Sequence, residues 1–259
     1  MGRLDGKVAF CTGAGSGIAR ATARLFAAEG AAVVIAEIDR ETGSATAHEL
    51  TAAGHDALFV HTDVTVLASV EAAVKATVDR FGRLDVLFNC AGGSQPGDAP
   101  ITEVDLSLWD PTFDTNVKGT MHCCRAAIPV MAAGGGGSII NLASLFALQG
   151  NHTLHLYGAA KGAVISLTRA LAARHATDGI RVNVVVPGTI MTERVRALFD
   201  ANTDEHGHNA AASAMGFDNH PFAYGSPEDL APVIAFLASD DARLVTGALI
   251  PADGGMTAY

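Results

Sequence analysis

One unit recurs along the chain and limits the folds that it can adopt. The unit is an Ala-rich amphipathic stretch, then a glycine, then a short run of Val, Ile, Leu or Phe that ends in a small or polar residue. The glycines of its copies are Gly30, Gly54, Gly82 and Gly179. Glycine just past a helix adopts the left-handed cap without a Cβ penalty, and a continuous apolar run suits a strand buried on both faces. The repeat therefore predicts helices that alternate with parallel strands.

Three further apolar runs, which begin at Gly6, Gly137 and Gly247, extend this pattern over the whole chain. Together the runs predict about seven strands and an α/β fold, a doubly wound parallel sheet with helices on both faces. No linker interrupts the pattern, so we expect residues 1–259 to form a single domain. The longest connection is the segment 189–225, and a loop of this length is typical of a lid or a substrate-binding segment. It ends at Ser226 and Pro227, which predict the N-terminus of a helix.

Charge and cysteine content exclude several classes of partner. The chain has 17 Lys and Arg against 27 Asp and Glu, a net charge of −10. Because no basic surface is available to neutralise phosphates, neither nucleic acid nor an anionic membrane is expected as a partner, and a small-molecule substrate is. The four cysteines lack CxxC spacing and lie in apolar runs, as in proteins of a reducing compartment. The N-terminus has no signal-peptide core, so we expect a cytoplasmic protein.

The first strand runs directly into a glycine-rich turn. Residues 12–19 read TGAGSGIA, and a helical pattern follows. Glycines let the backbone turn tightly and approach a pyrophosphate, which the amides of the helix N-terminus then bind. The alternative is a tight turn without a ligand, but an acidic residue about 20 positions further on, at the end of strand two, favours a dinucleotide and a Rossmann-like fold. A phosphate-loop NTPase is excluded because no GK[ST] follows.

That acidic residue is Glu37, and it predicts which cofactor is used. A carboxylate at this position accepts hydrogen bonds from both hydroxyls of an adenosine ribose and repels a 2′-phosphate. Ser16 is neutral and no arginine stands directly beside Glu37, so the site lacks the cation that NADP needs, and NAD is predicted. The alternative is a solvated carboxylate at a strand end, and the charges of Asp39 and Arg40 are near enough in sequence to modify the preference.

A tyrosine and a lysine predict the acid or base of a reaction. Tyr157 and Lys161 share one face of a predicted helix by their i, i+4 spacing, and Tyr157 comes 13 residues after Ser144 at the end of strand five. A cation ~4 Å from a phenol, at an effective dielectric of ~20, stabilises the phenolate by about 4 kcal/mol, which moves a pKa of about 10 toward about 7. Such a group accepts an alcohol proton while hydride leaves. The alternative is that a tyrosine and a lysine of this spacing lie on the surface of a helix and have no part in a reaction.

With these motifs in this order, the chain resembles the classical short-chain dehydrogenases/reductases almost from end to end. The shared features are the glycine turn, Asn-x-Ala-Gly at 89–92, Asn116, Ser144, Tyr-x-x-x-Lys at 157–161, Pro187-Gly188 with Thr192, and Asp-Gly-Gly near the C-terminus. The resemblance implies that Tyr157 is the proton donor or acceptor and that Ser144 holds the substrate oxygen. It also implies that Lys161 binds the nicotinamide ribose and that Asn116 supports a water relay.

The resemblance also implies a set of contacts with the cofactor. Asp63 and Val64 would touch the adenine, while Ile190 and Thr192 would hold the carboxamide. The cofactor-binding residues expected in all are Gly13, Ser16, Gly17, Ile18, Glu37, Asp63, Val64, Asn89, Ala91, Gly92, Tyr157, Lys161, Pro187, Gly188, Ile190 and Thr192. The chain departs from the family pattern at Ala19, the last glycine position, and at Cys90, where Asn is common, and neither change is expected to alter the mechanism.

The expected activity is the NAD-dependent interconversion of a secondary alcohol and a ketone by a homo-oligomer, a dimer or a tetramer. The alternative is a non-catalytic NAD(H)-binding regulator or scaffold on the same fold. An extended epimerase or lyase would need a larger substrate domain than the residues after Thr192 provide.

The remaining candidates concern metals and the substrate pocket. No metal is expected, because no Cys or carboxylate cluster completes a ligand set with His206, His208 and His220. His152 and His155 are either pocket residues or surface residues. Apolar residues near the site favour an apolar, cyclic alcohol or ketone, namely Phe146, Met191, Phe199, Met215, Phe217, Phe222 and Tyr224.

Overall fold

The strands of the computed structural model alternate with helices, as the repeat predicts. They are β1 (Val8–Thr12), β2 (Ala32–Glu37), β3 (Ala57–His61), β4 (Val86–Asn89), β5 (Gly137–Leu142), β6 (Ile180–Pro187), β7 (Thr189–Ile190), β8 (Tyr224–Gly225) and β9 (Leu249–Ala252). The structure describes residues 2–201, 222 and 224–258. Seven strands pair in parallel in the order β3-β2-β1-β4-β5-β6-β9. Because the order reverses at β1, a crevice opens at the carboxyl ends of β1 and β4.

Helices cover both faces of this sheet. They are α1 (Gly17–Ala28), α2 (Arg40–Ala52), α3 (Leu67–Phe81), α4 (Trp109–Phe113), α5 (Gly119–Ala133), α6 (His155–His175), α7 (Glu193–Ala201) and α8 (Pro227–Ala238). Side chains of α1, α2 and α8 pack on one face around Phe26 and Ile35. Side chains of α3 and α5 pack on the other face around Phe10 and Met131. The predicted fold class, a doubly wound Rossmann-like sheet, is confirmed. No helix of the described residues is long and apolar enough to cross a membrane.

The glycines that punctuate the sequence end helices or connect them to strands. Gly30, Gly54, Gly82 and Gly179 have φ values of +95°, +88°, +78° and +73°. Residues with a Cβ rarely adopt this region, which explains why each copy of the repeat carries a glycine there. The predicted helix start at Ser226 is also confirmed, since the Ser226 hydroxyl accepts a hydrogen bond from the Asp229 amide in a capping box.

The segment 189–225 contains regular structure that the sequence did not predict. Its two ends form β7 and β8, which pair with each other outside the main sheet, and α7 follows Thr192. Strands of two residues are too short to show an alternating pattern, so their pairing leaves no sequence signal. Residues 202–221, which include His206, His208, His220, Met215 and Phe217, lie outside the described residues.

A single turn of π-helix, Asp114–Lys118, joins α4 to α5. Turns of this kind are rare and occur frequently at functional sites. The π-turn carries Asn116, whose side chain is buried. It therefore aims a polar side chain inward at a point where the surrounding helix is otherwise regular.

Candidate active site

A cleft of about 840 Å³ lies at the carboxyl ends of the strands, where the strand order reverses. All but two of the residues expected to bind the cofactor or to take part in the reaction line it, and the two exceptions are Asn89 and Asn116. The expected residues in its wall are Gly13, Ser16, Gly17, Ile18, Glu37, Asp63, Val64, Ala91, Gly92, Ser144, Tyr157, Lys161, Pro187, Gly188, Ile190 and Thr192. Residues from distant parts of the chain thus meet in one cavity.

The glycine turn at one end of this cleft fits an anionic group. Gly13 and Gly17 have φ values of +68° and +51°, and a Cβ on Gly13 would lie only 3.0 Å from the Cα of Ala91. Ser16 precedes α1 without a side-chain cap. The Glu193 carboxylate, which pairs with Arg20, lies near the Gly17 amide. Because the Ser16 side chain does not cap the first amides of α1, these donors are available to a pyrophosphate.

Glu37 faces the glycine turn across the cleft. One carboxylate oxygen accepts a hydrogen bond from the Gly15 amide at 3.0 Å, and the other accepts from the amides of Ile38 and Asp39 at 2.8 and 3.1 Å. No lysine or arginine of the described residues forms an ion pair with Glu37. These contacts orient a carboxylate at the edge of the cleft, where it can accept from ribose hydroxyls.

Asn89 and Asn116 are buried and do not line the cleft, so their expected roles in cofactor binding and in a water relay stay predictions. The amide nitrogen of Asn89 donates to Asn141 at 2.9 Å inside the sheet. Asn116 accepts from the Gly93 amide and donates to the Gly93 carbonyl, both at 3.0 Å, and also donates to the Thr112 carbonyl at 2.9 Å. Since its amide is engaged with the backbone, the Asn116 side chain holds the loop after β4.

Tyr157, Ser144 and Lys161 converge at the other end of the cleft. The Lys161 ammonium donates to the Leu142 carbonyl at 2.9 Å and lies 5.6 Å from the centre of the Tyr157 ring. Burial lowers the pKa of Lys161 to about 8. Burial also raises the pKa of Tyr157 to about 12, although a hydrogen bond with Ser144 and the charge of Arg194 oppose this rise.

The expected tyrosine pKa of about 7 is therefore wrong for these residues alone. A pKa of about 7 requires a cation at ~4 Å from a phenol that is not buried. In the structure the ammonium is bound to a carbonyl, and desolvation of the phenol is the largest influence on its pKa. Tyr157 is consequently a protonated acid at neutral pH.

Asp98 is a residue of the site that the sequence did not reveal. Its two carboxylate oxygens accept hydrogen bonds from the amides of Leu156 and Tyr157 at 3.1 and 2.9 Å. Leu154, which precedes α6, offers no capping side chain. Asp98 caps the helix from a loop 59 positions away from Tyr157, so no local sequence motif predicts this cap.

The two histidines between Ser144 and Tyr157 do not line the cleft. His152 contacts the Phe146 carbonyl through Nε2 at 2.9 Å, and Nδ1 of His155 accepts from the Ile101 amide at 3.0 Å. Both histidines therefore shape the loop before α6. Among the predicted apolar pocket residues, Phe146 and Phe199 line the cleft, whereas Met191, Phe222 and Tyr224 do not.

Comparison with known proteins identifies the family. Residues 13–257 match a family model described as enoyl-(acyl carrier protein) reductase. A relative from Bradyrhizobium diazoefficiens, named as a short-chain type dehydrogenase/reductase, is 41% identical over 100% of this chain and 90% of its own length. The chain belongs to the short-chain dehydrogenase/reductase family.

Two further relatives of this short-chain dehydrogenase/reductase carry more specific names. The cis-4-hydroxycyclohexanecarboxylate dehydrogenase of Sinomonas cyclohexanicum is 42% identical over 97% of both chains. A solved structure of 7α-hydroxysteroid dehydrogenase, complexed with NADH and 7-oxo glycochenodeoxycholic acid, superposes with a TM-score of 0.88 at 30% identity and covers 98% of this chain and 95% of its own. The motifs of this chain therefore occur in the fold of an oxidoreductase family.

The buried ammonium of Lys161 predicts a specific effect on stability. Its folded pKa of about 8 lies below the unfolded value of about 10.4, so the unfolded chain binds more protons between these pH values, and wild-type stability rises across that window. Lys161→Met removes the buried charge. We expect it to raise the free energy of unfolding by about 1–3 kcal/mol at pH 7 and to remove that part of the pH dependence.

The measurement is urea denaturation from pH 7 to pH 10.5 without added nucleotide. Lys75→Met serves as the control, because Lys75 is exposed on α3 and pairs only with Asp79 among the described residues. Stability curves of Lys161→Met and wild type that stay parallel over the whole range would contradict the assignment.

Proposed function

We propose that this chain is an NAD-dependent oxidoreductase that interconverts a secondary alcohol and a ketone. The proposal depends on one observation, that Tyr157, Ser144 and Lys161 line the same cleft as the glycine turn and Glu37. A proton-transferring group therefore faces a site that fits a dinucleotide. The comparisons give no support to the alternative of a non-catalytic regulator.

In this mechanism the bound nicotinamide supplies or accepts the hydride. Ser144 and Tyr157 bind the oxygen of the substrate, and Tyr157 donates its proton to that oxygen when a ketone is reduced. Because its pKa is about 12, the phenol is already in the protonated form that this direction needs. Alcohol oxidation requires the phenolate, so its rate should increase with pH. Lys161 would hold the nicotinamide ribose.

Other residues of the cleft would contact different parts of the cofactor. Asp63 and Val64 would contact the adenine, and Ile190 and Thr192 would contact the carboxamide. Asn116 acts as a positioning residue through its hydrogen bonds to Gly93. Asn89 supports the end of β4 from inside the sheet.

The named relatives narrow the substrate class. A hydroxycyclohexanecarboxylate and a hydroxysteroid both carry their hydroxyl on a ring. Apolar side chains line the cleft of this chain near Tyr157, among them Leu145, Phe146 and Leu154. We therefore assign the chain an apolar, cyclic secondary alcohol or the corresponding ketone.

The cofactor preference depends on Glu37. We expect kcat/KM to be higher with NAD than with NADP, because the carboxylate accepts from a ribose hydroxyl and repels a 2′-phosphate. Glu37→Ala combined with Ser16→Arg should bring the ratio of kcat/KM with NAD to kcat/KM with NADP close to one or below one. Initial rates with each nucleotide provide the measurement, and Glu41→Ala on the exposed side of α2 is the control. Equal kcat/KM values for both nucleotides in the wild-type protein would refute the preference.

The proposed role of Tyr157 is tested by Tyr157→Phe, after a panel of cyclic alcohols has been screened with NAD by absorbance of the reduced cofactor. The substitution removes the phenol proton and keeps the ring, so turnover should fall by about 10²-fold or more. The Kd for NAD, measured by fluorescence, should stay close to the wild-type value. A variant that retains the full rate on a substrate found by the panel would end this proposal.

The outer face of α6 supports a homo-oligomer, either a dimer or a tetramer. Ala159, Ser166 and Ala170 are exposed on this helix, whereas Val164 and Ile165 are buried. A helix with one solvated face usually carries more charge there, so a second copy of the chain would cover these small residues. Ala170→Glu should shift the light-scattering mass toward a monomer at micromolar concentration, whereas Ala52→Glu on α2 should not. A wild-type protein of monomeric mass would refute the oligomer.

We also propose that the protein acts in the cytoplasm. All four cysteines are free, and Cys11, Cys123 and Cys124 are buried. Free thiols in apolar surroundings fit a reducing compartment.

A further inference from the structure

Arg194 is the second residue of α7 and lines the cleft. Its Nη2 atom donates to the Ser94 carbonyl and lies 3.5 Å from the Ser94 hydroxyl. Its Nη1 atom lies against Gly93, where any Cβ would overlap with it. The guanidinium is thus held beside the loop that follows β4, and its charge acts on the phenol of Tyr157.

Each of the other charged side chains of the cleft has hydrogen-bond or ion-pair partners that hold its charge. Glu37 accepts from three amides, and Asp63 accepts from the amide and the hydroxyl of Thr65. Lys161 donates to the Leu142 carbonyl, and Glu193 pairs with Arg20. Arg194 differs from these, because its contacts within the described residues are to the neutral oxygens of Ser94. Its positive charge therefore has no acidic partner in that part of the chain.

Arg194 is exposed, and the cleft that it lines also has apolar walls. Side chains of α7 and of the loop after β5 share the cleft with it, namely Leu145, Phe146, Leu154, Val195, Leu198 and Phe199. In a chain with a net charge of −10, an arginine in the same cleft as Tyr157 attracts an anionic ligand. A guanidinium binds a carboxylate through two parallel hydrogen bonds, and an apolar wall binds the hydrocarbon between the two polar ends.

We infer that Arg194 binds a carboxylate on the substrate, so that the alcohol is an apolar hydroxy acid and the ketone an apolar keto acid. The inference rests on the proposed function, since the carbinol of the same molecule must reach Tyr157. Both polar ends of such a substrate meet a matching group, the phenol at one end and the guanidinium at the other.

The pyrophosphate of the cofactor is the other anion that Arg194 could meet. The donors for that group are at the N-terminus of α1, where Gly17 lies against Thr192. Arg194 turns away from this end toward Gly93 and Ser94. Its position favours the substrate as the source of the anion.

The test compares matched substrates and matched arginines. Hydroxycyclohexanecarboxylates and their methyl esters present the same ring and hydroxyl with and without the negative charge. Wild-type kcat/KM should be at least 10-fold higher for an acid than for its ester, mainly through KM. Arg194→Gln should bring that ratio close to one, and Arg194→Lys, which keeps the charge and loses the fork, should give an intermediate ratio. The control is Arg196→Gln, because Arg196 lies on the same helix, contacts the Met191 carbonyl and lies outside the cleft.

Three results would overturn the inference. One is an equal wild-type kcat/KM for acid and ester. Another is an acid-to-ester ratio that Arg194→Gln leaves intact while both values fall, which indicates a structural role. The third is an increased Kd for NAD in Arg194→Gln with an unchanged ratio, which assigns the guanidinium to the pyrophosphate.

A binding measurement separates this inference from the proposed function. Calorimetry with cyclohexanecarboxylate in the presence of NAD should show binding to wild type and at least 10-fold weaker binding to Arg194→Gln. If no alcohol in the panel is oxidised but this difference is found, the dehydrogenase proposal fails and the anion site stands. If neither protein binds cyclohexanecarboxylate, the anion site fails whatever the activity.

Discussion

The hydroxyl of Thr12 holds the end of β1 and the loop after β4 together at the base of the cleft. Thr12 ends β1 and is buried, and its oxygen accepts hydrogen bonds from the amides of Cys90 and Ala91 at 3.0 and 3.1 Å. These two residues follow β4, the neighbour of β1 at the reversal of strand order. The loop after β4 and the glycine turn after β1 are therefore held side by side. A cleft at this place follows from the topology, and this contact holds two of its loops together.

Further contacts connect the loop after β4 to the helix that carries Tyr157 and Lys161. Asn116 fixes Gly93, and Asp98, five residues further on, caps the helix that carries Tyr157 and Lys161. Arg194 contacts the same loop from the opposite side through Ser94. The segment 90–98 thus links a strand of the sheet, the π-turn and α6, the helix of Tyr157 and Lys161. This arrangement explains why a glycine-rich loop without regular structure has so many side-chain hydrogen bonds.

The sequence predicted those features that depend on local chemistry. The left-handed glycines, the buried strands and the capping box at Ser226 each follow from residues that are neighbours in the chain. The convergence of Tyr157 and Ser144 in one cleft was expected from the resemblance to the family. Asp98 and the buried contacts of Asn89 and Asn116 were missed, since partners 23 to 59 positions apart in sequence leave no periodic pattern. The pKa of Tyr157 was misjudged because burial of a phenol cannot be read from i, i+4 spacing.

The start of α7 places opposite charges next to each other in the cleft. Glu193, its first residue, pairs with Arg20 of α1. Arg194, its second residue, contacts Ser94 in the loop after β4. The first turn of α7 therefore touches both the helix that follows the glycine turn and the loop after β4, so a shift in the start of this helix would change the contacts at both places.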